Sequence, residues 1–223
     1  MEKKTQKPQL LPVLSAYCIL FYGIWTLYVF FGKPFLKGNI ENEVLCTFLC
    51  DGIIKNLVWT LPAVLLICHF RSRVYADLKT MFTQKVKWLY YLPVFAAFTV
   101  YLLSIPLKKH GKLETVSGFG LPLIIADLFV GITEEMVFRG WLLNVMMGKG
   151  KKWLPVAVNT LMFLLIHFPT WIMEGQFLSN LLMSWSLMLL SVLFSVSFIC
   201  SKNILVPVLL HTYWDLLCFM FLE

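Results

Sequence analysis

Seven apolar runs of about 20 residues each alternate along the chain with short polar segments. An α-helix rises about 1.5 Å per residue, so each run can cross the hydrocarbon layer of a membrane, which is about 30 Å thick. The pattern predicts an all-α, polytopic transmembrane helical bundle of about seven spans, with eight spans as the alternative. The predicted spans are residues 10–31, 52–70, 88–105, 119–147, 154–173, 178–200 and 204–222.

The composition agrees with this pattern. Of 223 residues, 59% are hydrophobic and 14% are charged, whereas soluble domains have about 45–50% apolar and about 25% charged residues. These proportions exclude an ordinary soluble domain, a disordered tail and a nucleic-acid-binding module. The net charge of +7 comes from basic residues that fall mostly between the apolar runs, where they contact a membrane face. Any chemistry must therefore take place inside the bilayer.

The basic residues also predict an orientation. The segments between spans carry 12 Lys and Arg on one side of the membrane and 5 on the other. The richer side includes Lys3, Lys4 and Lys7, so the positive-inside rule places the N-terminus in the cytoplasm. We expect an integral membrane protein of the plasma membrane.

Four ionisable side chains lie inside the fourth apolar run, where burying each costs several kcal/mol unless it is paired or functional. They are Asp127, Glu134, Glu135 and Arg139. Glu135 and Arg139 are i, i+4 neighbours on a helix and can pair, whereas Glu134 lies about 100° round the helix axis on the face of Asp127. This geometry gives Glu135 and Arg139 a supporting role and leaves Glu134 without a partner.

Two further runs carry polar residues at helical spacing. Asn159, Phe163 and His167 follow one another at i+4 steps in the fifth run, and His211 and Asp215 share a face in the seventh. Taken alone, each histidine would more often be a core residue with satisfied hydrogen bonds. The fourth span ends, and the fifth and seventh spans begin, on the same side of the membrane. The depths of the polar residues in these three spans can therefore be compared.

Counted from that side at about 1.5 Å per residue, Glu134 and His167 each lie at a depth of about 20 Å, His211 at about 10 Å and Asp215 at about 16 Å. All four side chains can meet in one layer. A glutamate with two histidines is the composition of a metal site, in which His167 and His211 would bind zinc, and also of a metal-free site in which a carboxylate activates water. Both alternatives describe hydrolysis.

The polar residues form three motifs, which are EExxxR at residues 134–139, FxxxH at 163–167 and HxxxD at 211–215. In this order they resemble the motifs of the CPBP family, the CAAX-protease and bacteriocin-processing group also called Abi. The resemblance covers about residues 119–219. It implies a helical intramembrane endopeptidase, classed in the family as a metalloprotease, with Glu134 as the base. Residues 119–223 would form the catalytic core and residues 1–118 the helices through which substrate enters.

The shared depth of Glu134, His167 and His211 leads to a mechanistic hypothesis. Glu134 deprotonates a water molecule that His167 positions, and His211 stabilises the oxyanion. Many family members have asparagine where this chain has Asp215, and an ionised aspartate cannot donate a hydrogen bond to an oxyanion. Asp215 is therefore predicted to orient His211 or to bind a metal.

The substrate class stays open at this stage. A prenylated CAAX protein, a bacteriocin or signal-peptide precursor, or another membrane protein would fit, and no nucleic-acid partner is expected. Two other functions use the same polar residues. One is a non-proteolytic membrane protein that binds a ligand or confers bacteriocin immunity, and the other is a proton-coupled transporter, which the absence of matching broken segments disfavours.

Overall fold

The computed structural model describes residues 10–147 and 153–222, and in these ranges the only regular secondary structure is helical. Ten helices follow one another and pack into a bundle. They are α1 (Leu10–Asn39), α2 (Glu43–His69), α3 (Leu78–Thr83), α4 (Trp88–His110), α5 (121–146), α6 (Trp153–Leu165), α7 (Phe168–Met173), α8 (Phe177–Leu182), α9 (Trp185–Ser201) and α10 (Leu205–Phe221).

The bundle has the helices of a membrane protein. Within the described residues, α1, α2, α4 and the joined α6–α7 segment are long and apolar enough to cross a membrane. Helices α9 and α10 are apolar and have 17 residues each, which is close to the shortest length that spans the hydrocarbon layer. Helix α5 carries the charged residues described above. The predicted fold, an all-α polytopic transmembrane bundle, is confirmed.

The span boundaries differ from the prediction in two ways. Helices α1 and α2 extend through most of the polar segment between the first two runs, because that segment breaks only around residues 40–42. The predicted spans 154–173 and 178–200 are each divided by a short turn. Pro169 in the first turn of α7 has no N–H to donate to the carbonyl of Leu165, four residues earlier, which is where α6 ends. At the second turn, between α8 and α9, the Ser184 hydroxyl donates a hydrogen bond to the Leu181 carbonyl at 2.7 Å.

Four π-helical turns interrupt the α-helices. They are Tyr28–Gly32 in α1, Phe48–Ile54 and Asn56–Thr60 in α2, and Met136–Leu143 in α5. A π-turn closes i to i+5 hydrogen bonds, is rare, and often occurs at functional sites. It also rotates the side chains that follow it relative to the 3.6-residue period from which helix faces are predicted.

The N-terminal helices and the C-terminal helices share one core. The Phe21 ring packs on Trp59, with ring centroids 4.7 Å apart, and on Phe138 of α5 at 6.0 Å. The Tyr22 hydroxyl donates to the Met162 carbonyl of α6 at 2.6 Å. The N-terminal helices therefore form one wall of the bundle around α5 and α6.

The segment between α2 and α3 is tied to α5 by Asn144, which is fully buried. Its side-chain amide donates to the Ala76 carbonyl at 2.8 Å, and its side-chain oxygen accepts from the Ala76 N–H at 2.8 Å. Next to this connection, the Asp77 side chain accepts from the backbone N–H of Thr80 at 2.8 Å and caps α3. These contacts order a connection that lies outside the predicted spans.

The orientation in the membrane stays a prediction. Lys3, Lys4 and Lys7 lie outside the described residues. Three further expectations also stay predictions. They are the cytoplasmic N-terminus, the plasma-membrane location and the division into residues 1–118 and 119–223.

Candidate active site

The four residues predicted to carry the chemistry line one cavity inside the bundle. The cavity has a volume of about 110 Å³ and receives Glu134 from α5, His167 from the turn after α6, and His211 and Asp215 from α10. Apolar side chains, among them Phe194, complete its wall. A space of this size can hold a few water molecules beside polar groups, which is the minimum that hydrolysis requires.

Close packing of α5 on α10 brings the first motif to the third. A Cβ atom added at Gly131 would overlap the Thr212 side-chain oxygen, so only glycine allows the two helices to approach this closely. One turn after Gly131, Glu135 reaches His211. The glycine therefore sets the distance between the two carboxylates of the EE pair and the histidine of α10.

Glu135 is the centre of a fully buried network. Its Oε1 accepts from Arg139 Nη1 at 2.8 Å, as the i, i+4 spacing predicts, and it also contacts His211 Nδ1 at 2.8 Å. Arg139 Nη2 donates to the backbone carbonyl of Ser191 at 3.0 Å and to its hydroxyl at 2.8 Å. The guanidinium carbon lies 4.6 Å from the ring centroid of Phe163. Glu135 thus joins α5 to α10, while Arg139 joins α5 to α9.

The His211 ring lies between two carboxylates. Nδ1 contacts Glu135 at 2.8 Å and Nε2 contacts Asp215 Oδ2 at 3.3 Å. Carboxylates accept hydrogen bonds, so the ring can donate to both only when both nitrogens carry a proton. Phe194 stacks on the ring with centroids 5.0 Å apart and planes 21° from parallel. Asp215 was predicted to orient His211, but the shorter contact comes from Glu135.

His167 lies in the turn where α6 ends. Its Nδ1 is 2.9 Å from the Phe163 carbonyl, and because a carbonyl can only accept, Nδ1 carries the proton and a neutral ring has its lone pair on Nε2. The ring also packs against Phe163 and Trp171, with centroid distances of 5.2 and 5.7 Å. These contacts hold the ring at the edge of the cavity.

The prediction that Glu134 has no partner is wrong. Its Oε1 accepts from Lys55 Nζ at 3.1 Å, and the two residues are only 8% and 4% exposed. The prediction failed because it considered pairs within one helix, whereas Lys55 comes from α2. Lys55 is an ionisable residue inside a predicted span, so the criterion that singled out Glu134 would also have found it.

Three other residues were predicted to support the site, and they lie in different surroundings. Phe163 lines the cavity. Asn159 is fully buried and donates to the Phe138 carbonyl at 2.8 Å, which joins α6 to α5. Asp127 is 2% exposed, interacts electrostatically with Asp215 and His211, and its Oδ1 has no hydrogen-bond partner among the described residues. The role of Ser191 could not be predicted from the sequence, because a serine in an apolar span is common.

The donor atoms do not fit a metal ion as they are placed. Within residues 10–147 and 153–222, no group of three His, Cys, Asp or Glu side chains is arranged to hold one. Both nitrogens of His211 face carboxylates, and Glu134 faces the Lys55 ammonium, which would repel a cation. The zinc alternative with His167 and His211 as ligands therefore lacks a matching site in this arrangement.

Comparison with known protein families gives a match to the C-terminal part of the chain. Residues 116–217 match the Rce1-like family model, described as type II CAAX prenyl endopeptidase Rce1-like. The matched range contains all three motifs and runs from just before α5 into α10. No curated protein and no solved structure matches the chain.

Proposed function

We propose that the chain is a CAAX-type intramembrane protease of the CPBP family, as the match of residues 116–217 to the Rce1-like family model supports, and that it hydrolyses a peptide bond with water activated by Glu134. The observation that carries the proposal is the convergence of an acid and two imidazoles from three helical segments on one cavity. Burying ionisable groups in a membrane span costs free energy. A shared space large enough for water gives these three groups a common function, which is to bind and activate that water.

The proposed reaction begins with proton transfer from water to Glu134. The water oxygen attacks the carbonyl carbon of the scissile bond, and the negative charge develops on the carbonyl oxygen. His167 positions the water through the nitrogen that the Phe163 carbonyl leaves unused. The tetrahedral intermediate then collapses, the C–N bond breaks, and Glu134 returns its proton to the leaving amine. The carboxylate is restored, so no other reactant is needed.

His211 is proposed to stabilise the oxyanion. Its Nδ1 is anchored by a 2.8 Å contact to Glu135, whereas Nε2 faces Asp215 at the longer distance of 3.3 Å. The contact to Asp215 is long for a charge-assisted hydrogen bond. An oxyanion can therefore replace Asp215 as the acceptor of the Nε2 hydrogen bond at little cost in free energy. Asp215 would then keep the ring aligned without itself donating to the substrate.

The surroundings of the cavity favour a membrane-associated substrate. An apolar groove of about 260 Å³ between α4 and α9 shares Leu190 and Trp214 with the cavity wall. A peptide that carries a prenyl group or an apolar segment could lie in the groove with its scissile bond in the cavity. We therefore propose a prenylated CAAX-type or precursor peptide as substrate.

The test uses the full chain in liposomes with a fluorogenic, farnesylated CAAX peptide. Glu134→Gln and His167→Ala should each lower the cleavage rate, by about 100-fold or more for the base, without loss of folded protein. Glu174→Gln, the same change at an exposed position, should leave the rate unchanged. Cleavage by Glu134→Gln at the parental rate would refute the proposal, and peptide binding without turnover in the parent would indicate a non-proteolytic binding protein.

A further inference from the structure

Lys55 is a buried cation for which the proposed reaction has no role. It lies in α2, outside the matched range, between the π-turns Phe48–Ile54 and Asn56–Thr60. Its side chain is 3% exposed in a helix that is apolar enough to span a membrane. Taking an ammonium out of water costs several kcal/mol, so its place in the bundle needs an explanation.

Two kinds of contact compensate for this cost. The Nζ atom lies 3.1 Å from Glu134 Oε1, and it lies over the rings of Trp59 and Trp25 at 4.7 and 5.5 Å from their centroids. The two indoles pack edge-to-face with centroids 4.5 Å apart. Cation–π contacts are stronger for a desolvated ammonium than for an exposed one. The ammonium is thus held in an aromatic cage, formed by Trp25 and Trp59, that directs it at Glu134.

The aromatic cage is connected to the other side of the cavity. Trp25 Nε1 donates to the Ile166 carbonyl at 2.8 Å, and Ile166 directly precedes His167. The same indole therefore holds both the cation that binds Glu134 and the turn that presents His167. The two residues proposed to handle the water are fixed relative to one another through α1 and α2.

The contact with Lys55 also gives the two carboxylate oxygens of Glu134 different roles. Within the described residues, the Glu134 side chain accepts one hydrogen bond, which Lys55 donates to Oε1. Oε2 is left to accept a proton from water in the cavity. A carboxylate without this anchor could rotate about its terminal bonds, since such torsions are broad.

We propose that Lys55 is a positioning residue for the hydrolysis: it fixes Glu134 through Oε1 and leaves Oε2 as the base. This inference rests on the proposed function. It assigns part of the active site to the N-terminal helices, beyond the substrate access predicted for them. Lys55 touches neither the water nor the peptide, so its effect must pass through Glu134.

The central experiment measures kcat and KM of Lys55→Met in liposomes with the farnesylated peptide. We expect kcat to fall about 10- to 100-fold, the range seen when a reacting group is misplaced, with KM within about twofold. Lys55→Arg keeps a cation and should recover most of the loss. Lys33→Met is the matched control, because Lys33 also pairs with an acid, Asp51 at 3.4 Å, but does not contact Glu134; its kcat should equal the parent's.

A double-mutant cycle separates positioning from a merely structural role. Glu134→Asp shortens the side chain by one methylene, so its carboxylate reaches Lys55 poorly. If Lys55 acts through Glu134, adding Lys55→Met to Glu134→Asp should lower kcat by far less than it does in the parent. An equal loss in both backgrounds would overturn the proposal, as would a folded Lys55→Met variant with parental kcat.

Two further measurements keep the outcomes distinct. If Lys55→Met does not fold, Lys55→Gln replaces it, because its amide is polar and uncharged and its side chain is one atom shorter, so that it ends farther from Glu134 Oε1. A parental kcat in that variant overturns the proposal. Full activity in Glu134→Gln would refute the proposed function itself. Loss of activity in Glu134→Gln together with parental kcat in the Lys55 variants would refute the positioning role alone.

Discussion

The buried Arg139 guanidinium gives the most direct test of how the bundle is held together. It is 0% exposed and donates three hydrogen bonds, one to Glu135 and two to Ser191. Replacing it with methionine removes all three bonds and leaves His211 as the remaining side chain in contact with Glu135 Oε1. The substitution keeps most of the apolar volume of the side chain, so the loss should come from charge and hydrogen bonding.

Two estimates bracket the expected loss of stability. Hydrogen bonds between helices in membrane proteins average about 0.6 kcal/mol, because the unfolded state in the membrane also finds partners. Three such bonds set a floor of about 2 kcal/mol. Removing one partner of a buried ion pair from a protein interior costs about 3–5 kcal/mol, which sets the ceiling. We expect Arg139→Met to lower the free energy of unfolding by about 2–5 kcal/mol and to lower activity as well.

The measurement is reversible unfolding in mixed detergent micelles, followed by the fluorescence of the 8 tryptophans. Arg71→Met makes the same chemical change at an exposed position between α2 and α3 and should shift stability by less than about 0.5 kcal/mol. If Arg139→Met stays within that same margin, the buried network does not stabilise the bundle and the role given to Arg139 is incorrect.

Two other predictions follow from the packing and from the connection outside the spans. Gly131→Ala should lower the free energy of unfolding by about 1–3 kcal/mol, as overpacking does, and reduce cleavage, because the added Cβ overlaps Thr212. Gly140→Ala is the control, since its Cβ meets nothing closer than 3.6 Å, and it should lower stability less in the same unfolding assay. Equal losses in the two variants would contradict the close approach of α5 and α10. Hydrogen bonds from the side chain and backbone of Thr80 lower the pKa of Asp77 below its usual 3.8. The cap therefore stabilises α3 fully above pH 3.8 and loses its effect as the pH falls through the lowered pKa. An NMR titration of the Thr80 amide should have its midpoint at the lowered pKa, and a midpoint at or above 3.8 would contradict the cap.

Much of the architecture could be predicted from local pattern. Apolar runs of sufficient length predict helices in a membrane regardless of their neighbours, because an unpaired backbone is too costly in lipid. The pairing of Glu135 with Arg139 was predictable for the same reason, since it depends only on the i, i+4 spacing within one helix. The breaks before α7 and α9 were missed, because a proline or serine in an apolar run disrupts a helix only in some contexts.

The sequence by itself determined the class of protein, the approximate spans and the polar residues that are too costly to bury without a use. It also indicated the resemblance to the CPBP family, because the motifs that carry this resemblance are short and local. Only the tertiary structure decided which partners those residues have. Lys55 meets Glu134, and Glu135 meets His211, across gaps of 79 and 76 residues. Such contacts depend on the rotation and approach of whole helices, which π-turns and a single glycine set, and no periodicity along one chain segment records them.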